Sequence, residues 1–588
     1  MAEQLISPGV FTSEIDQSFL PAGGADIGAA IIGPTVKGAA LVPTKVNSYA
    51  EFQAIFGDVF DSGSNSYQYL TSHTAYEYIK NGGDTLTVIR ILAGDYSKAS
   101  GSIAISGSTE AYAYEVAASS SFYLYTHGDG ALQNSTSTQG TNALLPSGSK
   151  DNLRWEVTAP NYEKGTFTLL VRRGNDTSKR KTVLETWNNI SLDPKSSNFI
   201  AKVIGDQTQT IMGSGTTTPY LQITGSYPNN SNYVRVVTNL YTPDYLDENG
   251  TVRVPAYSAS LPQACSGTFD GGSDGNILHP QSFYENISST DSQGYVLNTP
   301  GSGSTAYRDA IYMLANKDEY DINLLLMPGV MSAETNHATV AQAAIDMCEA
   351  RGDVFYILDL VGYANALTSA TAEAANRDSS YAGSYWPWVA IRDVYLNKTA
   401  WVPASVPMAG IFAFNDKVSE PWFAPAGLNR GGITSAVMAE RKLQQSNRDD
   451  LYDNSVNPIA SFPSVGLAAW GQKTLQKKAS ALDRISVRRL LIASKKYISM
   501  ISKRFVFENN TTQTRANLLN TLNPWFENVM QKQGLYKFSV ITSEAINTPE
   551  VIDRNELKCQ IYLQPAKSAE FILVDFIVTA TGADFPTD

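Results

Sequence analysis

The residue types most able to do chemistry are few and badly spaced for it. His73, His127, His279 and His337 are the only histidines in 588 residues, and none stands in an H-E-x-x-H or other metal-ligand spacing. Each reads as an ordinary surface or partly buried side chain. No G-x-x-x-x-G-K-[ST] phosphate loop occurs. "GSGSTA" at 301 lacks the third glycine of a dinucleotide loop and reads as a linker. In "MPGVMSAET", Pro328 and Val330 would block a phosphate cradle. "FDGGSDGN" at 269–276 offers Asp270 and Asp274 to a cation, but it lacks the Glu and the spacing of an EF-hand, so a tight Gly/Asp turn is expected. "RGD" at 351–353 falls at a helix end leading into a buried strand, with Gly352 as the C-cap. Local spacing suggests no nucleophile–base pair. The expectation is a chain with no catalytic residue, no cofactor and no metal.

Composition narrows the class. The chain is 43% hydrophobic and 17% charged, enough for large cores, and its length suggests several domains, roughly four if about 150 residues make one. A formal charge of −12 argues against a nucleic-acid partner, which calls for a basic surface. No run approaches a membrane span, and the opening "MAEQLISPGVFTSEID" shows no signal peptide. Cys265, Cys348 and Cys559 are scattered and odd in number, as expected of reduced thiols in a chain folded in cytosol.

Residues 1–20 read as an extended arm around "PGVFTSEI". A compact unit follows over 21–95: an apolar strand, a short helix from Ser48, a helix stopped by Gly82-Gly83, and a strand from Thr85 to Leu92. The texture then changes. Between 101 and 150, 21 of 50 residues are Ser, Thr or Gly and only four are charged. Two β-rich insertions are expected, 96–150 and 151–304. The chain is α/β again over 305–565. "DINLLLMPG" reads as a strand, "SAETNHATVAQAAIDMCEARG" as a helix with Ser332 as N-cap, and "DVFYILDL" as a second buried strand. That order is a βαβ unit with a parallel pair. The expected fold is a mixed α/β, multidomain chain with a discontinuous core domain, protruding β-rich insertions and extended terminal arms.

Two segments stand out. Residues 471–504 hold ten Lys and Arg against one acid, Asp483. At helical spacing Val487, Leu490, Leu491, Tyr497, Ile498 and Ile501 share one face. Arg484, Arg488, Arg489, Lys495, Lys496 and Lys503 share the other, with Ile485 the one apolar residue among them. An amphipathic helix with a basic surface is expected. The last segment, 566–588, contains "SAEFILVDFIVTATGADF". With a period of two, Ile572, Val574, Phe576 and Val578 line one face, and Phe571 and Leu573 begin a second, mostly apolar one. Such a strand docks into its own sheet or is made for another molecule.

Several stretches resemble the contractile tail sheath proteins of myovirus-type phages. "SPGVFTSEI", "SYAEFQAIFG", "YIKNGGDTLTVIRI", "INLLLMPG", "CEARGDVFYILDL", "YWPWVAI", "EPWFAPAGLNRG", "GLAAWGQKTL", "RISVRRLL" and "RFVFENN" are similar to the family's elements and stand in the family's order. Lys473 of "GQKTL" stands where the family more often has Arg. In the insertions, only "LDPKSSNFIAKVIGD" looks like a segment of the larger phage sheaths.

The resemblance implies a structural, non-enzymatic subunit that polymerises with itself as stacked six-subunit rings around a tail tube. Baseplate and tail terminator proteins would be its other partners. It implies terminal arms that add strands to neighbours' sheets, here through Val10, Phe11, Ser13 and Ile15 and through Phe571, Ile572, Leu573, Val574, Phe576 and Val578. It implies a metastable extended state whose contraction drives the tube through the host envelope, in a virion tail assembled in host cytoplasm. Arg484, Arg488, Lys495, Lys496 and Lys503 are then candidates for facing the tube. The alternatives are a tail-like bacteriocin or related injection system, a β-decorated α/β enzyme, and an adhesin-like β protein.

Overall fold

Strands Gly28–Gly33 and Leu324–Met331 lie side by side and parallel, pairing Ala30 with Leu325 and Ile31 with Leu326, although the whole β-rich region separates them in sequence. The computed structural model describes residues 28–62, 65–105, 120–135, 147–277, 286–463 and 466–573. The central sheet has eight strands, in the spatial order Thr44–Val46, Thr85–Arg90, Gly28–Gly33, Leu324–Met331, Phe355–Asp359, Ala382–Trp386, Val456–Phe462 and Gly466–Ala469. The six inner strands run parallel, and the outermost strand on each side runs antiparallel to its neighbour. All residues of Gly28–Gly33, Leu324–Met331 and Phe355–Asp359 are buried, as a sheet covered on both faces requires. Ala30, Ile32 and Leu325 face one apolar layer built with the helices Ser302–Met313 and Thr335–Arg351. Ala29, Ile31 and Leu326 face the other, built with Leu70–Lys80 and Ser405–Val418.

Local expectations hold where a cap or a period decides them. Ser48 accepts from the Glu51 amide and starts the helix Tyr49–Phe56. Gly352, at φ +70°, ends Thr335–Arg351, and the βαβ pair is parallel. Arg351 is 4% exposed and donates to the carbonyls of Leu314 and Tyr320 and to Asp353, so the Arg-Gly-Asp tripeptide is interior structure.

At three places the chain departs from the sequence expectation. Ser332 is not the N-cap: its amide still pairs with the Asp359 carbonyl in strand fashion, and the helix starts after Glu334. Residues 302–313 are a helix rather than a linker, because Ala306, Tyr307, Ala310 and Ile311 form a buried stripe. Gly303 lets that helix approach closely, since a Cβ there would meet the Val296 carbonyl oxygen at 2.0 Å. The strand from Thr85 ends at Arg90, two residues early.

The β-rich region forms two four-stranded antiparallel sheets. One orders Val234–Thr238, Ser120–Asp129, Tyr96–Ala104 and Ser273–Asp274; the other orders Val183–Ser191, Thr166–Arg173, Leu153–Asn161 and Cys265–Thr268. They share one apolar core, in which Phe122 stacks on Phe167 with ring centroids 5.6 Å apart. The division expected near residue 150 therefore has no counterpart in the packing. Alternating strands from either side of that point point inward and fill the same core.

Candidate assembly surface

The site is built around the helix Ile485–Ser502. Its sequence splits into two apolar stripes instead of one. Leu490, Ile498 and Ile501 pack on Leu518, Leu522, Phe526 and Val529 of the helix Thr512–Gln531. Ile485 and Ile492 pack on the opposite side, in the layer that holds Phe355, Ile411 and Phe412. Because both sides are covered, Arg488, Arg489 and Lys496 between them are drawn into the chain, while Lys495 and Lys503 stay exposed.

Arg489, 4% exposed, pairs with Asp416 and lies over the Phe412 ring with its guanidinium 4.9 Å from the centroid. Arg488, also 4% exposed, donates to Ser380 Oγ and lies 4.1 Å over the Tyr381 ring; burial lowers its pKa. Lys496 pairs with Asp321, and burial pulls its pKa down against that partner. Lys495, exposed, donates to the Tyr381 hydroxyl at 2.8 Å, and Lys503 pairs with Asp318 in full solvent. The sequence pattern that announces a basic surface is thus mostly used up inside the chain. A separating helical face is visible in sequence, but the carboxylates and rings that meet it come from distant segments.

Arg484 caps the start of this helix and reaches Glu570 by two bonds, Nε to Oε1 at 2.7 Å and Nη2 to Oε2 at 3.0 Å. Gln472 Nε2 also donates to Oε1 at 3.0 Å, and the Tyr452 hydroxyl donates to Oε2 at 2.9 Å. Burial pushes the Glu570 carboxyl up; the four hydrogen bonds and the Arg484 charge outweigh it and leave its pKa below the ordinary value. Lys473 of "GQKTL" donates to the Tyr452 carbonyl at 2.7 Å and so helps hold this corner. Sequence reasoning missed Glu570. The only signal was a lone acid directly before an apolar run.

Beside the helix lies a separate two-stranded antiparallel sheet, Leu535–Ile541 with Gln560–Pro565, in which Phe538 pairs with Leu563 and Ser539 with Tyr562. Phe538, Val540, Ile561 and Leu563 face Phe526 and Trp525 on the helix Thr512–Gln531. Tyr536 and Tyr562 point outward, 62% and 59% exposed. No third strand pairs with either edge among the described residues.

Past Glu570, Phe571, Ile572 and Leu573 are 81%, 78% and 93% exposed and not in a strand. Val10, Phe11, Ser13 and Ile15 lie outside the described residues, as do Val574, Phe576 and Val578.

The place where an open parallel sheet usually binds a ligand is closed. Strand order reverses between Gly28–Gly33 and Leu324–Met331, and the crevice lies at their carboxyl ends. Gln293, 2% exposed, fills it: its Oε1 accepts from the Leu70 amide at 2.7 Å and its Nε2 donates to the Pro328 carbonyl at 3.3 Å. A side-chain amide thus occupies the helix N-terminus that would face a phosphate. Among the described residues no cluster of His, Cys, Asp and Glu could hold a metal ion, and no helix is long and apolar enough to cross a membrane.

Residues 301–475 match the description of the phage tail sheath protein central domain, and residues 477–579 that of the phage tail sheath C-terminal domain. The tail sheath protein of Enterobacteria phage T4 is 30% identical over 360 residues, 59% of this chain and 52% of that protein. The tail sheath protein of Vibrio phage KVP40 is 41% identical over 193 residues, 33% of this chain and 29% of that protein. In these alignments the chain spans about half the length, or less, of the curated relatives it matches. The crystal structure of a sheath tail protein from Listeria innocua superposes with a TM-score of 0.54 over 93% of this chain and 94% of that one; at 11% identity the likeness is one of fold.

Proposed function

We propose that this chain, whose residues 301–475 and 477–579 match the phage tail sheath central and C-terminal domains, is a structural and mechanical subunit of a contractile tail sheath. It polymerises as stacked six-subunit rings wound around a tail tube, between baseplate and terminator proteins. Contraction from a metastable extended state drives the tube through the host envelope. Head-to-tail contacts that do not close on themselves generate such a helix, and contraction draws on rearranged subunit interfaces without nucleotide chemistry. The crevice plugged by Gln293 fits that non-enzymatic reading. The particle is a virion tail assembled in host cytoplasm; a tail-like bacteriocin would use the same subunit physics.

The observation that carries the proposal is one pair of unfinished surfaces on the same chain. The two-stranded sheet Leu535–Ile541/Gln560–Pro565 has unpaired edges among the described residues, and Phe571–Leu573 is an exposed apolar run that follows it in sequence. A two-stranded sheet is marginal alone, and an exposed edge accepts a strand from another molecule. We assign the edge as receiver and the 566–588 arm as donor, with the 1–20 arm serving a second neighbour.

Docking of basic residues on an acidic tube surface falls to Lys495 and Lys503, which are exposed. Arg484, Arg488 and Lys496 are engaged within the chain. Neutralising Lys495 and Lys503 together is expected to weaken recruitment to tubes and its salt dependence; unchanged recruitment removes tube docking from these residues.

The test is negative-stain electron microscopy of the intact chain and of a chain ending at Glu570, across a concentration series with and without tubes. Helical tubes from the intact chain alone, lost on truncation, are the expected result. Tubes from both chains remove the arm as the link. An intact chain that neither polymerises nor coats tubes overturns the sheath reading.

A further inference from the structure

Glu570 marks an abrupt change in the chain. Before it, Gln560–Pro565 is paired within its own sheet and the Ala566 amide donates to the Gly534 carbonyl at 3.0 Å. After it come three large apolar residues left in water. Leaving three such side chains in water forfeits the free energy of burying them, which a covering partner recovers.

We propose that Glu570 is the anchor of the donated strand: the clamp of Arg484, Gln472 and Tyr452 fixes the root of the arm to its own subunit and presents the apolar run beyond it to the open sheet edge of a second copy. The inference rests on the strand-donation reading and adds what positions the donor. The partners come from three separate elements. Tyr452 lies on the helix Gln445–Asp453, Gln472 follows the strand Gly466–Ala469, and Arg484 opens the helix Ile485–Ser502. Gln472 is 3% exposed and its carbonyl accepts from the Ile485 amide at 2.8 Å, so the clamp stands on rigid backbone. The Arg484 fork meets both carboxylate oxygens, which fixes orientation as well as distance.

Without the clamp, the donor would hang from Pro565 on a short exposed tether, and each docking event would have to order that tether. With it, that ordering is completed before docking, which raises affinity without any new contact between subunits. Tension on the donated strand during contraction is also taken at Glu570 before it reaches Gln560–Pro565.

Two measurements on the intact chain test this. The first is the trypsin cleavage rate at Lys567, in the segment between Pro565 and the clamp. Glu570→Ala and Arg484→Ala are expected to speed cleavage about fivefold or more, and Arg484→Lys, which keeps the charge without the fork, to fall between. Unchanged cleavage in both alanine variants overturns the anchor, whatever assembly does. The second is the concentration threshold for pelleting of polymer, or for coating tubes, set beside the urea midpoint of the monomer. The anchor predicts a threshold raised about tenfold in the alanine variants, an intermediate value for Arg484→Lys, and an unchanged midpoint. A wild-type threshold in the alanine variants overturns it, as does a threshold that merely tracks a lowered midpoint. Failure of the unaltered chain to assemble strikes the sheath reading instead, and the cleavage rates then decide the anchor on their own.

Discussion

The two sheets at the heart of this protein solve opposite problems. The eight-stranded sheet is finished. Its faces are covered by helices, and its edges are blunt: one is a three-residue strand, Thr44–Val46. The other, Gly466–Ala469, is capped where the Ala469 amide donates to the Gly431 carbonyl at 2.8 Å. The Leu535–Ile541/Gln560–Pro565 sheet is unfinished, with one face covered and both edges unpaired among the described residues. Edge strands are a liability that proteins normally blunt, and this chain does so in one sheet and not in the other. On the strand-donation proposal, the contrast separates the parts that stabilise the monomer from the parts left for assembly.

Substitutions ought to separate the two regions. The largest loss of monomer stability is expected where the finished region is opened. Asp416→Ala leaves the buried Arg489 charge without its partner and should cost about 3–5 kcal/mol in urea unfolding. Leu326→Ala, in a fully buried strand, should cost about 2–5 kcal/mol by the same measurement. Losses well under 1 kcal/mol at both sites would break the comparison.

A pH effect comes next. Burial raises the Asp359 carboxyl to about 7 from its ordinary 3.8, against hydrogen bonds from Ser405 and Gly329. Between those values the folded chain holds a proton that the unfolded chain has lost, so this group's contribution to stability falls as pH rises from about 4 to 7 and is flat above. Burial lowers His127 and His337 to about 4 from 6.5, which gives the opposite slope: their contribution is lost as pH falls from 6.5 toward 4. Asp359→Asn should therefore make the stability profile steeper on the acid side, as urea midpoints at stepped pH would show. An unaltered profile would remove Asp359 as a titrating group.

At the unfinished surface the order of effects reverses. Ile572→Asp should leave the urea midpoint of the monomer unchanged, since the side chain is 78% exposed, while abolishing polymer in a pelleting assay. The smallest effect is expected at Lys503→Gln, whose partner Asp318 is equally in solvent: no measurable change of midpoint. A midpoint drop at either position would mean that these residues serve the monomer after all.

Much of the architecture was legible in sequence. "DINLLLMPG" followed by a capped helix and "DVFYILDL" gives a parallel βαβ unit because period, length and the Gly352 stop agree locally. The helix start near Ser48 was legible for the same reason: the capping bond found there spans three residues. The 301 stretch misled because Ser and Gly weaken a helical signal that tertiary burial of Tyr307 and Ile311 restores. The 485–502 helix misled in a different way. Its period was right, but period only sorts residues into faces, and what covers a face is decided by segments far away in sequence.

What the sequence determined by itself is the run of local structure and the pattern of apolar segments, since helices, turns and strand faces depend on neighbours a few residues apart. Only the tertiary structure decided that Arg489 is spent on Asp416, Gln293 on the switch-point crevice, and Arg484 on Glu570, because each of those bonds joins residues that no local rule relates. The cost of burying an unpaired charge or amide made those partners necessary, and the fold alone could say which they were.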